Sequence, residues 1–489
     1  MSEQSKLHRV LGLTDATLLV AGSMIGSGIF LVSADMSRDL GSSGWMLLAW
    51  LVTGLITLSA ALSYGELAGM MPEAGGQYVY IRRAFGKLTA FLYGWTVFAV
   101  IQTGVIAAVA MAFANYASEL VPAFSSKNIL LSIGSFNVTA QHLLAVSLIV
   151  FLSFVNSRGV EGGSLVQKLF TSAKLIALFA LIVLGIGIGM SSGTLSANFT
   201  DMWDASKMVK DPDSGVWTST AIGGIALLAM FGTTMINSLF SSDAWNNVTF
   251  IAGEIKEPHR NIPRSLLLGT TIVTVLYILA NVAYLCLLPL KGNPDGADAF
   301  SRGIQFATEG RVGTAAATII FGNVATTVMA VLIMISTFGC NNGIILAGAR
   351  LFYAMGQDKL FFGRAAKLNS KGVPAFALWI QCIWASGLCL SGSYNDLLTY
   401  ATFASLLFYM VTIAGIFVLR RREPDAPRPY RALAYPWLPA LYIIVTAAIC
   451  IDLLIFQTRY TAGGLIIVAI GLPLYFILNK INAEKTASQ

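Results

Sequence analysis

The chain predicts an all-α polytopic membrane protein of about twelve transmembrane helices, and three observations carry that prediction. First, 56% of its 489 residues are hydrophobic and only 11% are charged, whereas soluble domains hold about a quarter of charged residues. Second, apolar runs of about 20 residues, the length that crosses a bilayer core, recur near 16–34, 44–65, 88–114, 141–156, 165–190, 220–253, 265–290, 312–341, 374–393, 396–419, 435–457 and 462–479. Third, two of these runs are interrupted alike: Gly22-Ser23-Met24-Ile25-Gly26-Ser27-Gly28-Ile29-Phe30 in the first and Phe240-Ser241-Ser242-Asp243-Ala244-Trp245-Asn246-Asn247 in the sixth.

A helix broken at membrane depth leaves backbone groups that lipid cannot satisfy, so the break is tolerated only around a polar cavity. In the first span, Gly26-Ser27-Gly28 permits sharp unwinding because glycine reaches backbone angles closed to other residues. The helix resumed from Ile29 presents free N–H groups, which favour a carboxylate. Carbonyls freed around Ser23 and Met24, and near Phe240 and Ser241 of the sixth span, are expected to receive an ammonium. Met24, Ile25, Gly26, Ser27, Gly28, Phe240, Ser241 and Asp243 are therefore the candidate substrate residues, and the charge separation suits a free α-amino acid. A glycine-serine triplet alone also reads as a small-residue packing patch; the polar run in the sixth span favours the cavity.

Breaks in the first and sixth spans imply a five-helix unit repeated in inverted topology, since an odd number of spans turns the second copy over. The expected division is 1–192 (spans one to five), 193–424 (an outer loop and spans six to ten) and 425–489 (two appended spans). The fifth span carries Lys174. An ionised lysine near the bilayer centre costs about 2.5–3.5 kcal/mol on insertion scales. Six residues from Lys168 rise only about 9 Å, which the side chain nearly covers, so snorkelling and a functional role both stay open on the residues alone. After the eighth span, Ala349–Asp358 reads as a short helix ending near Gly356, either at the membrane interface or extending the span. The outer loop 191–219, rich in aspartate, reads as a solvated, mobile connector.

With the N terminus inside, 22 of the 31 basic residues fall in inner segments and 8 in outer ones, leaving Lys174 within a span. The positive-inside rule then places both termini in the cytoplasm. Topology accounts for the net charge of +7 without nucleic acid. The five cysteines all fall within spans and read as packing residues; no metal spacing or cofactor motif is present. Glu66 is expected to pair with inner arginines, and Asp452 to be a solvated interface charge. Trp45, Trp95, Trp379 and Trp437 read as interface anchors. Three histidines without mutual spacing offer no hydrolase or metalloprotease centre, so no enzyme is expected.

Gly22–Phe30, then Pro72-Glu-Ala-Gly-Gly-Gln-Tyr-Val-Tyr80 with Arg83-Ala-Phe-Gly86, then Trp245-Asn-Asn-Val-Thr-Phe250 with Gly253-Glu-Ile-Lys256 and Pro258-His-Arg-Asn-Ile-Pro-Arg264, resemble the amino acid–polyamine–organocation (APC) superfamily. The nearest resemblance is to its L-type amino acid transporter (LAT) family in prokaryotic form. It implies a LeuT-like fold of five plus five inverted helices with two more, and sodium-independent exchange of amino acids by alternating access. Carried over, Ser27 and Gly28 receive the carboxylate, with Met24 lining the approach. Phe240 closes over the substrate, Ser241 contributes backbone near the ammonium, and Asp243 tunes side-chain selectivity. Lys174 takes the place of a sodium ion, tethering the first helix. Where family members commonly have Phe-Ala-Tyr-Asp-Gly-Trp, this chain has Ser241, Ser242 and Ala244.

The expected function is exchange of small neutral L-amino acids in a cell membrane. Proton-coupled uptake, a cationic substrate drawn by Asp243 and a non-transporting amino acid sensor are the alternatives. Eukaryotic members pair with a glycoprotein through a cysteine between the third and fourth helices; no cysteine lies between Tyr116 and His142, so a disulfide-linked heavy chain is not expected. The sequence does not set the oligomeric state.

Overall fold

In the computed structural model, residues 9–133, 136–391 and 394–487 are described; Lys6 and His8 lie outside them. The first span is a pair, α1 (Leu13–Met24) and α2 (Val32–Leu40), joined by a non-helical link with a 3-10 turn at Gly28–Phe30. Gly41, at φ 55°, stops α2 in the left-handed conformation that commonly closes helices. Ser42 then caps α3 (Ser43–Met70) by accepting the Trp45 amide at 3.4 Å. At 28 residues, α3 is about 42 Å long, ample for a bilayer core. A short helix, α4 (Gln77–Phe85), leads into α5 (Lys87–Thr96), which continues through a π turn at Val97–Ile101 into α6 (Gln102–Leu120).

A hairpin, β1 (Ile129–Ile133) with β2 (Phe136–Thr139), connects to α7 (Ala140–Ser157), whose N terminus Thr139 caps. Next come α8 (Val160–Gly189), α9 (Thr194–Phe199) and a second hairpin, β3 (Ser206–Lys210) with β4 (Trp217–Ala221). The second broken span follows as α10 (Gly224–Ser241) and the single turn α11 (Asn247–Phe250). The chain then forms α12 (Pro258–Leu287), α13 (Ala299–Arg302), α14 (Val312–Phe321), α15 (Ala325–Gln357) and α16 (Ala375–Leu390), and closes with α17 (Tyr394–Arg422), α18 (Trp437–Phe456) and α19 (Thr458–Ala487).

Among the described residues, ten helical stretches are long and apolar enough to cross a membrane, and the two shorter apolar helices are α1 and α16. Together they match the twelve expected spans. The eighth differs from expectation. Its run was placed at 312–341, but Gly322, at φ 60°, separates a short α14 from the spanning α15. Hydropathy cannot see this boundary because apolar residues lie on both sides of the glycine. Ala349–Gln357 is no separate interfacial helix; it is the continuous end of α15.

Two faces of the bundle are recognisable from their connections. On the face bearing the N-terminal segment, Arg82 pairs with Asp358, Arg83 Nη2 meets Glu423 at 2.6 Å, and Glu66 holds Arg420 and Arg428. Tyr78 donates to Asp358 at 2.7 Å, and its burial together with that bond holds the phenol well above its ordinary pKa. On the opposite face, the loop expected to be a solvated connector is partly docked. Asn198 donates to the carbonyls of Leu285 and Leu288 at 2.8 and 2.9 Å, and Trp45 Nε1 donates to Trp203 O at 3.0 Å. Asp452 is not a free interface charge either: it faces α10 and accepts from Thr233 Oγ1 at 3.1 Å. All five cysteines are buried and unpaired.

Candidate functional site

The two breaks come together because α1 packs on α12, α8 and α15, while α10 packs on α2 and α3. They come into tight contact at Gly28, where an added Cβ would collide with the side chain of Ser241. Only glycine lets the two unwound links touch. The second link turns at Ala244, which holds φ 65° without being glycine, a conformation that L-residues adopt at a cost and that recurs at functional sites.

All of the expected substrate residues except Ile25 line the cavity at this junction. Ser23, Met24, Gly26, Ser27 and Gly28 from the first link, and Phe240, Ser241, Asp243 and Ala244 from the second, line one cavity with Val105 and Val109 of α6 and Cys340 and Ile344 of α15. Ile25 is fully buried and is not part of that lining. Its carbonyl faces Lys174 instead. The cavity measures 30 Å³, room for about two waters, so an amino acid needs the walls to part.

Backbone accounting shows what the junction offers. The amides of Gly26, Ser27 and Gly28 have no backbone acceptor among the described residues, and all three residues line the cavity. The freed carbonyls, expected to be open to an ammonium, are already approached by donors, with the single Tyr277 hydroxyl proton shared between two of them. Cys340 Sγ reaches Ser23 O at 3.0 Å, and the Tyr277 hydroxyl lies 3.1 Å from both Met24 O and Ser241 O. Phe240 O accepts the Asp243 amide at 3.1 Å. A carbonyl has two lone pairs, so one site remains on each, but the protein itself has taken the first.

Lys174 settles a question the residues left open. Its side chain is only 2% exposed and does not snorkel. The ammonium donates to Gly22 O and Ile25 O at 2.6 Å each and to Ser336 O at 3.1 Å. Ser336 Oγ adds contacts of 3.1 Å to Ile25 O and Gly26 O. One positive charge thus binds the carbonyls of the first break to α8 and α15. Tyr277, Ser336 and Cys340 were not singled out from the sequence. Each is one of several small or polar residues scattered along its helix, and no local pattern sets it apart from the others.

A second cavity, also 30 Å³, adjoins the first and shares Val105, Asp243, Ala244 and Ile344 with it. It is lined by the π turn at Val97 and Ile101 and by a chain of polar groups. Tyr409 donates to Asp243 Oδ1 at 2.5 Å. Asn246 Nδ2 and the Tyr93 hydroxyl donate to Gln77 Oε1 at 2.8 and 2.9 Å, and Gln77 Nε2 donates to Thr412 Oγ1 at 3.0 Å. Asp243 therefore stands between the two compartments. Among the described residues there is no cluster of His, Cys, Asp and Glu suited to a metal.

A polytopic bundle with two helices broken opposite one another, unmatched amides at the junction and a buried cation pinning one break is the architecture of a membrane carrier. The amino acid permease family model matches residues 11–477. The large neutral amino acids transporter small subunit 2 of Mus musculus is 30% identical over 477 residues, covering 96% of this chain and 81% of the relative. The b(0,+)-type amino acid transporter 1 of Mus musculus is 29% identical, covering 90% of this chain and 82% of its own. The serine/threonine exchanger SteT of Bacillus subtilis is 28% identical over 489 residues, covering 99% of this chain and the whole of the relative. The chain belongs to the amino acid permease family, within the APC superfamily, and is a multi-pass membrane transporter.

Proposed function

We propose that the protein exchanges small neutral L-amino acids across a cell membrane, without sodium, by alternating access. The observation that carries the reading is the pairing, at one junction, of free Gly26–Gly28 amides with the backbone of Phe240 and Ser241 under a lysine-held first helix. The substrate carboxylate occupies the amide cluster at Ser27 and Gly28, and its ammonium takes the remaining lone pairs near Met24 and Ser241. Phe240 covers it, and the side chain points toward Asp243. The curated relatives support exchange of amino acids, and serine and threonine are the named substrates of one of them.

Two repeats, 1–192 and 193–424, with 425–489 appended, supply the moving parts, and the basic face bearing the N-terminal segment is cytoplasmic. In the bacterial setting suggested by the SteT likeness this is the cell membrane, and a heavy-chain partner is not required. The protein is a transporter rather than an enzyme.

The test is counterflow in proteoliposomes: vesicles loaded with unlabelled serine or alanine should accumulate the labelled amino acid, and empty vesicles should not. Accumulation driven by a sodium gradient into empty vesicles contradicts the exchange reading. Binding without accumulation identifies a sensor. A second reading, a cationic substrate, is favoured by Asp243 at the boundary of both cavities; competition with lysine and ornithine decides it.

A further inference from the structure

One buried ion pair takes no part in the substrate seat. Glu254 closes the 3-10 turn Ala252–Glu254 just beyond α11, and Arg350 lies two turns before the end of α15. Arg350, one of the 22 basic residues that the sequence assigns to inner segments, is fully buried, as is Glu254. Its Nε donates to Glu254 Oε1 at 3.0 Å, and Nη1 donates to Leu346 O at 2.9 Å. The backbone of the same glutamate is engaged elsewhere. Its carbonyl accepts the amides of Val10 and Leu11 at 3.0 Å each, and Lys256 N donates to Leu11 O at 2.8 Å. Leu11 and Ile255 form a parallel bridge.

Glu254 is thus a node. Chain continuity joins it to α11, a miniature sheet joins it to the segment entering α1, and its carboxylate joins both to α15, which itself packs among α6, α7, α8 and α16. Among the described residues, Glu254 Oε2 and Arg350 Nη2 have no partner. A buried pair gains little net stability, because desolvation offsets the attraction, but it fixes one register. The two unpartnered atoms gain hydration when the pair parts, which narrows the difference between closed and open arrangements.

We propose that Arg350 and Glu254 form a latch that holds the N-terminal-face halves of both broken helices, as one body, against α15, and that the pair separates when substrate leaves on that face. The pair acts by positioning and touches no substrate. The inference rests on the alternating-access reading, although the contacts that define the latch do not involve the seat.

The test is hydrogen–deuterium exchange on the full-length protein in lipid nanodiscs, with Glu254→Gln, Arg350→Lys and the doubly neutral Glu254→Gln/Arg350→Met. The double variant leaves no charge stranded and keeps the test open if a single variant fails to fold. Amides in residues 10–24 and 247–256 should exchange faster together, by about tenfold, while α2 and α10 stay as in the wild type. Arg350→Lys should show the smallest change. Wild-type protection, loosening of only one segment, or loosening that spreads to α2 and α10 overturns the proposal. Labelled amino acid counterflow is measured separately; a wild type that moves no amino acid refutes the function while the deuterium pattern still decides the latch.

Discussion

Lys174 is the residue whose role is most sharply defined by its surroundings. Three carbonyls converge on its ammonium, and hydrogen bonds to a charged donor are each worth about 1.5–3 kcal/mol. Lys174→Ala leaves those carbonyls buried and short of donors, so exchange in proteoliposomes should fall by at least about tenfold, with a lower melting temperature. Near-normal counterflow would remove the tether from the account. Asp243 makes a different prediction. Asp243→Asn keeps an acceptor for Tyr409 but removes the negative charge, so any inhibition of uptake by lysine or ornithine should disappear while serine is still exchanged. Retained inhibition by cations would place their binding elsewhere. Tyr277 bridges Met24 O and Ser241 O, so Tyr277→Phe should raise KM more than it lowers kcat, because it loosens the seat rather than the moving parts.

At the level of elements, the breaks matter more than the helices around them. Gly28→Ala drives a Cβ into Ser241, and overpacking of this kind typically costs 1–3 kcal/mol. Substrate affinity should drop, and the compensating Gly28→Ala/Ser241→Gly pair should recover part of it in a scintillation binding assay; no recovery would mean that the two links do not meet as described. The unwound links were legible in the sequence because glycine and a polar run stand out in apolar spans. The partners that complete them were not. Ser336, Cys340 and Tyr277 reach the first break from residues more than 250 positions away, and nothing local marks them. The split of the eighth run into α14 and α15 escaped for a related reason: one glycine in the left-handed region outweighs an unbroken apolar pattern.

For the molecule as a whole, the proposed exchange, with the Lys174 ammonium already held by three carbonyls, predicts indifference to sodium. Replacing sodium with choline on both sides of the vesicle should leave the exchange rate unchanged, and sodium stimulation would require a further cation site. The number of spans, the approximate bounds of most of them, the two breaks and the family likeness were determined by the sequence alone. The bilayer demands long apolar runs, and exceptions to them are conspicuous. Tertiary structure alone decided that Arg350 is buried against Glu254 rather than solvated, that Lys174 turns inward rather than snorkelling, and that the freed carbonyls are already half-satisfied. Each of these depends on which distant helix lies within about 3 Å of a polar group, a relation between parts of the chain that no local pattern encodes.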